Sequence, residues 1–193
     1  MTKDKQKPTE ISIAEQDQLR KSALVGFLRD QVGKPYQYGV NSAATGDKIF
    51  DCSSLVQEGY RRLGLELART SVNQATYFGR PVEQDEPYEP GDILFFSGEY
   101  GYYNPQFPMG VGHCATYIGK GRVIHTRAWY DEGGIENGEV IEETIEEALK
   151  RRADMVGKDV DLVVVKRVFE GNVYYHEGHE KPMPAIPIVG RVE

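Results

Sequence analysis

The chain has 193 residues, 39% of them apolar, with 23 basic against 30 acidic side chains and a formal net charge of −7. That is enough apolar material for one domain with a real core and too little for two. An acidic balance with no basic face argues against nucleic acid or an anionic membrane as the main partner. Two cysteines at this length do not build a disulfide framework. The opening Met1 to Pro8 is polar and charged with no apolar run behind it. Neither a cleavable signal nor a membrane anchor is therefore expected, and the default address is cytoplasmic.

Residues 1–11 read as a disordered lead. Ser12-Ile13-Ala14-Glu15 has the form of a capping box. The stripe Leu19, Ala23, Leu24, Phe27, Leu28 and Val32 predicts a helix over 13–32, closed by Gly33 and Pro35. A loop over 34–50 carries Tyr36 and Tyr38. Asp51 can accept bonds from the amides of a following turn, so a second helix is expected from Cys52 to about Leu63, with Gly64 ending it. Cys52, Leu55, Val56, Gly59 and Leu63 share one face of it, Gly59 leaving room for a sheet; Gln57, Glu58, Arg61 and Arg62 take the other. A short helical turn through Gln74 and Tyr77 and a Pro/Glu-rich connector over 81–90 follow. Ile93-Leu94-Phe95-Phe96 is apolar on both faces and predicts a central strand. Ser97 to Gly110 reads as a loop whose aromatics either wall a substrate site or form a disordered insertion.

Val111 to Ile118 and Arg122 to Arg127 alternate like strands around the turn Gly119-Lys120-Gly121. If Tyr117 pairs with Val123, then Ala115 lies opposite His125, and His113 is diagonal to His125 on the same face. A slip of one residue would separate the two rings. Cys114 alternates to the other face and reads as a core residue. Beyond the hairpin, Trp129 and residues 130–138 read as surface loop. A helix is expected from about Ile141, with Glu142 and Glu143 early and Lys150, Arg151 and Arg152 late on a solvated face. Leu162 to Val168 predicts a buried strand, and 181–193 an irregular tail. His176 and His179 are too closely spaced for a helical zinc motif and read as a solvated tail feature.

The chemistry converges on Cys52. A thiol in the first turn of a helix faces unpaired N–H groups and the positive end of the helix dipole, which favours thiolate. A lone cysteine is more often a small buried hydrophobe, so the case needs the histidines: a nucleophile, a base and a group holding the base are the parts of acyl transfer. Zinc is disfavoured, because a structural site wants four ligands and the hairpin offers His113, Cys114 and His125, with Cys114 pointing away.

Taken together, Asp51-Cys52-Ser53-Ser54-Leu55-Val56, Arg69-Thr70-Ser71, Pro90-Gly91-Asp92-Ile93-Leu94-Phe95-Phe96 and Gly112-His113-Cys114-Ala115-Thr116-Tyr117-Ile118-Gly119 through Ile124-His125 resemble the NlpC/P60 cysteine peptidases. The motifs keep the family's order, and the twelve-residue step between the histidines agrees as well. The resemblance is strong over about 30–128. It implies an α+β, papain-like fold, with a cysteine-bearing helix packed on an antiparallel β-sheet; the chain reads as one such domain over 12–170, followed by an irregular tail over 171–193. It further implies hydrolysis of bacterial cell-wall peptides, typically at the amide between γ-D-glutamate and a diamino acid, with no cofactor or metal. Carried over, Cys52 is the nucleophile, His113 the base and His125 the residue orienting it. Tyr36 offers its hydroxyl to the oxyanion, with Tyr38 as its competitor, and Asp51, Ser53 and Ser71 line the substrate pocket. The stretch between Tyr36 and Cys52 is longer than usual, Ala68 stands where proline is common, and no wall-binding module is visible. The same scaffold would also serve an acyltransferase, another amidase or a non-catalytic binding module. The sequence does not give the oligomeric state.

Overall fold

Ser12 and Glu15 bond reciprocally across the start of helix α1 (Ile13–Arg29), and this capping box fixes where the chain first turns helical. The computed structural model describes residues 11–98, 102–134 and 136–184. The expected lead over 1–11 thus lies almost wholly outside the described residues, as does the end of the tail. Helix α1 stops three residues short of its expected end, at Arg29 with Asp30 as C-cap. Its buried face also differs from the expected stripe: Leu24, Val25 and Leu28 are inside with Asp17, Arg20 and Lys21, while Leu19 and Val32 are exposed. Of the buried charges, Lys21 meets Asp17 and Glu89, and Arg20 donates to the Gly171 carbonyl at 2.8 Å.

Helix α2 (Cys52–Arg61) packs against α1. The expected role of Gly59 is corrected here: a Cβ at that position would stand 2.8 Å from Leu24 Cδ1, so its small size admits α1 rather than a sheet. Glu58, expected on the polar face, is buried and held by Arg61 and Arg62. Helix α3 (Ser71–Tyr77) follows.

The strands are β1 (Arg80–Pro81), β2 (Ile93–Phe96), β3 (Tyr102–Asn104), β4 (Phe107–Val111), β5 (His113–Gly119), β6 (Arg122–Tyr130), β7 (Glu136–Thr144), β8 (Leu162–Arg167), β9 (Phe169–Glu170), β10 (Val173–His176) and β11 (His179–Pro182), with helix α4 (Ile145–Val156) between β7 and β8. Six of them form one antiparallel sheet in the order β1-β8-β2-β5-β6-β7. Strand β2 is buried along its whole length, as its two apolar faces require. One sheet face, with Phe95, Cys114 and Ile124, packs on α1 and α2 through Leu24, Leu28, Leu55 and Tyr60. The opposite face, with Leu94, Phe96, Ala115 and Val123, receives α4 through Ala148. The Tyr117–Val123 pairing occurs as expected.

Four expectations change. The segment from Ser97 to Gly110 contains the β3–β4 hairpin instead of being all loop. The expected surface loop over 129–138 is sheet at both ends, because β6 runs on to Tyr130 and β7 begins at Glu136. Residues 141–144 are strand, and α4 starts only at Ile145 behind a Thr144–Glu147 capping box. The tail from 171 onward is not irregular within the described residues: β9, β10 and β11 form a small sheet. There His176 pairs with His179, stacks on Phe78 at 4.5 Å and accepts from Lys181 at 3.0 Å, so it is packed and not merely solvated.

Candidate active site

Cys52 owes its place to Asp51. The Asp51 carboxylate accepts the Ser54 N–H at 2.8 Å while the Ser54 hydroxyl accepts the Asp51 N–H at 2.9 Å, a reciprocal cap that leaves Cys52 as the first residue of α2. The same carboxylate accepts the Gly39 N–H at 3.0 Å and pairs with Arg69. Of the two jobs open to Asp51, the cap and this ion pair are therefore what its oxygens do in the free protein. Ser53 accepts from Arg69 at 2.9 Å, and Ser71 stands at the start of α3 on the same wall.

A cleft of about 1080 Å³ runs across this point and is lined by Tyr36, Asp51, Cys52, Ser71, His113 and His125 among others. Its far side is built by α4 and the end of β6, with Arg127, Arg151 and Arg152. Both tyrosines reach it, and they differ: Tyr38 is 67% exposed, whereas Tyr36 is half-buried and feels the charge of Cys52. Burial pushes the Tyr36 phenol above its ordinary range, so its hydroxyl keeps its proton at any working pH. Tyr36 is held by its N–H to the Gly138 carbonyl at 2.9 Å and by a bridge to Phe50.

The two histidines meet. His113 Nε2 lies 2.8 Å from His125 Nδ1, and the His113 imidazole and the Cys52 thiol sit near enough that each shifts the acidity of the other. His113 Nε2 being taken by His125, the ring nitrogen left for the sulfur is Nδ1. The line does not stop at His125, whose Nε2 lies 2.8 Å from Glu143 Oε1. Glu143 in turn receives Arg151 at 3.0 Å and 2.8 Å.

The electrostatics follow from this packing. The Cys52 thiol is held well below its ordinary range, first by the neighbouring Cys114 thiol and then by His113, which together outweigh burial. Burial pushes His113 down from 6.5 to about 4, against the pull of Cys52. Glu143 is lowered to about 2 by hydrogen bonds from His125 and Arg151, which overcome its burial. Cys114 is buried in the core as expected, yet its thiol touches Cys52, a contact that the simple alternation of faces did not reveal. The Cys114 sulfur also lies 3.9 Å from Gln74 Oε1, and Gln74 donates to the Ser53 carbonyl at 2.9 Å, tying α3 to the turn that carries Cys52.

Glu143, which the sequence reading put on a solvated helix face, is the buried residue that ends this line of contacts. It sits on β7 opposite Val123, diagonal to His125 on the same face, and is 5% exposed. A signal was available: Thr144-Ile145-Glu146-Glu147 is itself a capping box, which starts the helix after Glu143 and leaves that residue in the strand. Arg151 and Arg152, expected on the same solvated face, instead reach Glu143 and the Gly112 carbonyl. Among the described residues, no cluster of three or more histidine, cysteine or acidic side chains could hold a metal ion, and no helix is long and apolar enough to cross a membrane.

A cysteine at the head of a helix, faced by an imidazole from an antiparallel sheet, is the arrangement of a papain-like α+β domain. The family model of the NlpC/P60 family matches residues 33–151. The chain belongs to the NlpC/P60 family. It is 36% identical over 53% of its length to a probable endopeptidase of Corynebacterium glutamicum, covering 41% of that protein. It is 32% identical over 49% of its length to a bifunctional muramidase/DL-endopeptidase of Bacillus subtilis, covering 25% of that protein. The chain thus spans less than half the length of these curated relatives. Among solved structures, NlpC1 of Trichomonas vaginalis shares the fold with a TM-score of 0.54 at 23% identity, over 76% of this chain and 43% of that one.

Proposed function

We propose that this chain is a cysteine peptidase that cleaves an amide in peptidoglycan-derived peptides, with the bond between a γ-D-glutamyl residue and a diamino acid as the leading choice. The observation that carries the reading is the convergence of Cys52, His113 and His125 on the wall of one open cleft, with the two imidazoles 2.8 Å apart. Family membership and relatives named endopeptidases support the same chemistry.

In this reading the Cys52 proton passes to His113 Nδ1 as the sulfur attacks the amide carbonyl. A C–S bond forms and the carbonyl π electrons move to oxygen. The Cys52 amide, at a helix position whose N–H has no intrahelical acceptor, and the Tyr36 hydroxyl donate to that oxyanion. Collapse breaks the C–N bond, and the amine leaves with the proton from His113. Water then adds to the thioester as His113 takes its proton, the C–S bond breaks, and Cys52 recovers the proton. General-base help of this kind is worth roughly 10²–10⁴-fold.

The test is turnover of a γ-D-glutamyl-diamino acid peptide by the wild type and by Cys52→Ala. Loss of turnover in the variant is expected; equal turnover by both would end the role of Cys52. An added amine that captures the acyl group faster than water would redirect the reading to acyl transfer.

A further inference from the structure

A histidine that serves as base must present a lone pair, not an N–H, to the thiol, and a neutral imidazole has one of each. Which nitrogen carries the proton is decided by the partner of the other one. In this protein that partner is a second imidazole, which has the same ambiguity: His113 Nε2 against His125 Nδ1, 2.8 Å apart, is satisfied equally by a proton on either side. The ambiguity ends at Glu143. Its Oε1 lies 2.8 Å from His125 Nε2, and Arg151 donates to both carboxylate oxygens. An ionised carboxylate only accepts, so His125 must carry its proton on Nε2. Its Nδ1 is then a lone pair, which takes the proton on His113 Nε2 and leaves His113 Nδ1 bare toward Cys52.

We propose that Glu143 is a positioning residue that sets the proton arrangement of both imidazoles in series, so that His113 faces Cys52 as an acceptor. The proposal rests on reading Cys52 and His113 as nucleophile and base. Arg151 keeps Glu143 ionised, and the low value of about 2 for this carboxyl fits an acceptor that never becomes a donor. Glu143 never touches substrate in this arrangement. It acts two residues removed from the sulfur, and its side chain is nearly sealed from water at 7% exposure. Reversal is as simple as the setting: an amide at this position could donate to His125 Nε2, which would flip both rings and point an N–H of His113 at Cys52.

The experiment is ring nitrogen NMR on protein labelled with ¹⁵N-histidine, together with steady-state kinetics. In the wild type, His113 and His125 are both expected to carry their protons on Nε2; a proton on His113 Nδ1 in the neutral ring would overturn the proposal whether or not any variant folds. Glu143→Gln is expected to lower kcat by about 10²–10⁴-fold with little change in KM, the range for loss of a correctly set base, and to move the His113 proton to Nδ1. Glu143→Asp should recover part of the loss. A fall in kcat with the ring protons unmoved would make Glu143 structural only and refute the assignment, as would unchanged kcat. Equal turnover by Cys52→Ala and wild type would bring down the reading beneath it, whereas an inactive Cys52→Ala beside a fully active Glu143→Gln removes the role of Glu143 alone.

Discussion

Acid should loosen this protein through the buried imidazole of His113. Burial holds His113 neutral and moves it from 6.5 to about 4, while the same ring in an unfolded chain protonates near its ordinary value of about 6.5. Between those two values the unfolded state binds more protons than the folded one. The contribution of His113 is therefore complete above pH 6.5, falls as the pH drops toward 4, and is constant below that. Linkage across this interval amounts to a loss of about 2 kcal/mol by pH 5 and about 3 kcal/mol by pH 4, a large share of the roughly 5–15 kcal/mol that holds a domain together. Urea unfolding followed by circular dichroism, at a series of pH values and fixed ionic strength, measures it directly. His113→Gln, which keeps a polar side chain but cannot titrate, should flatten the curve between pH 6.5 and 4.5. The carboxyl of Glu143, lowered from 4.5 to about 2, adds a separate loss only below pH 4.5 and so leaves the upper window clean. If wild type and His113→Gln show the same slope from pH 6.5 to 4.5, the imidazole is not held neutral by burial and the reasoning fails.

Two further substitutions probe the scaffold around the cleft. Gly138→Ala would set a Cβ against the Arg127 carbonyl and 2.7 Å from Tyr36 Cβ, so a loss of about 1–3 kcal/mol from overpacking is expected, together with lower turnover as Tyr36 is pushed out of place; unchanged melting temperature and kcat would count against that contact. Arg167, 2% exposed and bonded at 2.9 Å to the equally buried Asp92, should cost about 3–5 kcal/mol when replaced by Met, because the carboxylate is left buried without its cation. The double variant Arg167→Met/Asp92→Leu should regain much of that stability in denaturant unfolding, and failure to regain any would show that the lone charge is not the cause.

The local devices around Cys52 were readable because they act over a few residues. Ser12 and Glu15, and likewise Asp51 ahead of Cys52, are caps whose partners lie within one turn, and each starts its helix where its side chain requires. The pairing of Tyr117 with Val123 followed from a tight turn flanked by alternating strands, and with it came the meeting of His113 and His125. The same kind of signal at Thr144 passed unread, and the cost was Glu143: treating it as the start of a helix hid the residue that ends the line of hydrogen bonds.

Other features had no local signature at all. The exposure of Leu19 and the burial of Lys21 depend on where α2 and Glu89 come to lie against α1, and nothing in the stripe itself distinguishes those positions. The contact between Cys114 and Cys52 joins a strand and a helix sixty-two positions apart. That Tyr36 is half-buried while Tyr38 is exposed depends on where Gly138 of the β6–β7 hairpin comes to lie.

From its sequence alone this chain determines which residues begin helices, which strands pair across a short turn, and which thiol stands at a helix head, since short-range hydrogen bonding and side-chain periodicity settle those matters. Only the tertiary structure decides how acidic that thiol is, how reluctant His113 is to take a proton, and which carboxylate orders the histidines. Those properties depend on desolvation and on charges delivered by distant segments, and no window of neighbouring residues contains them.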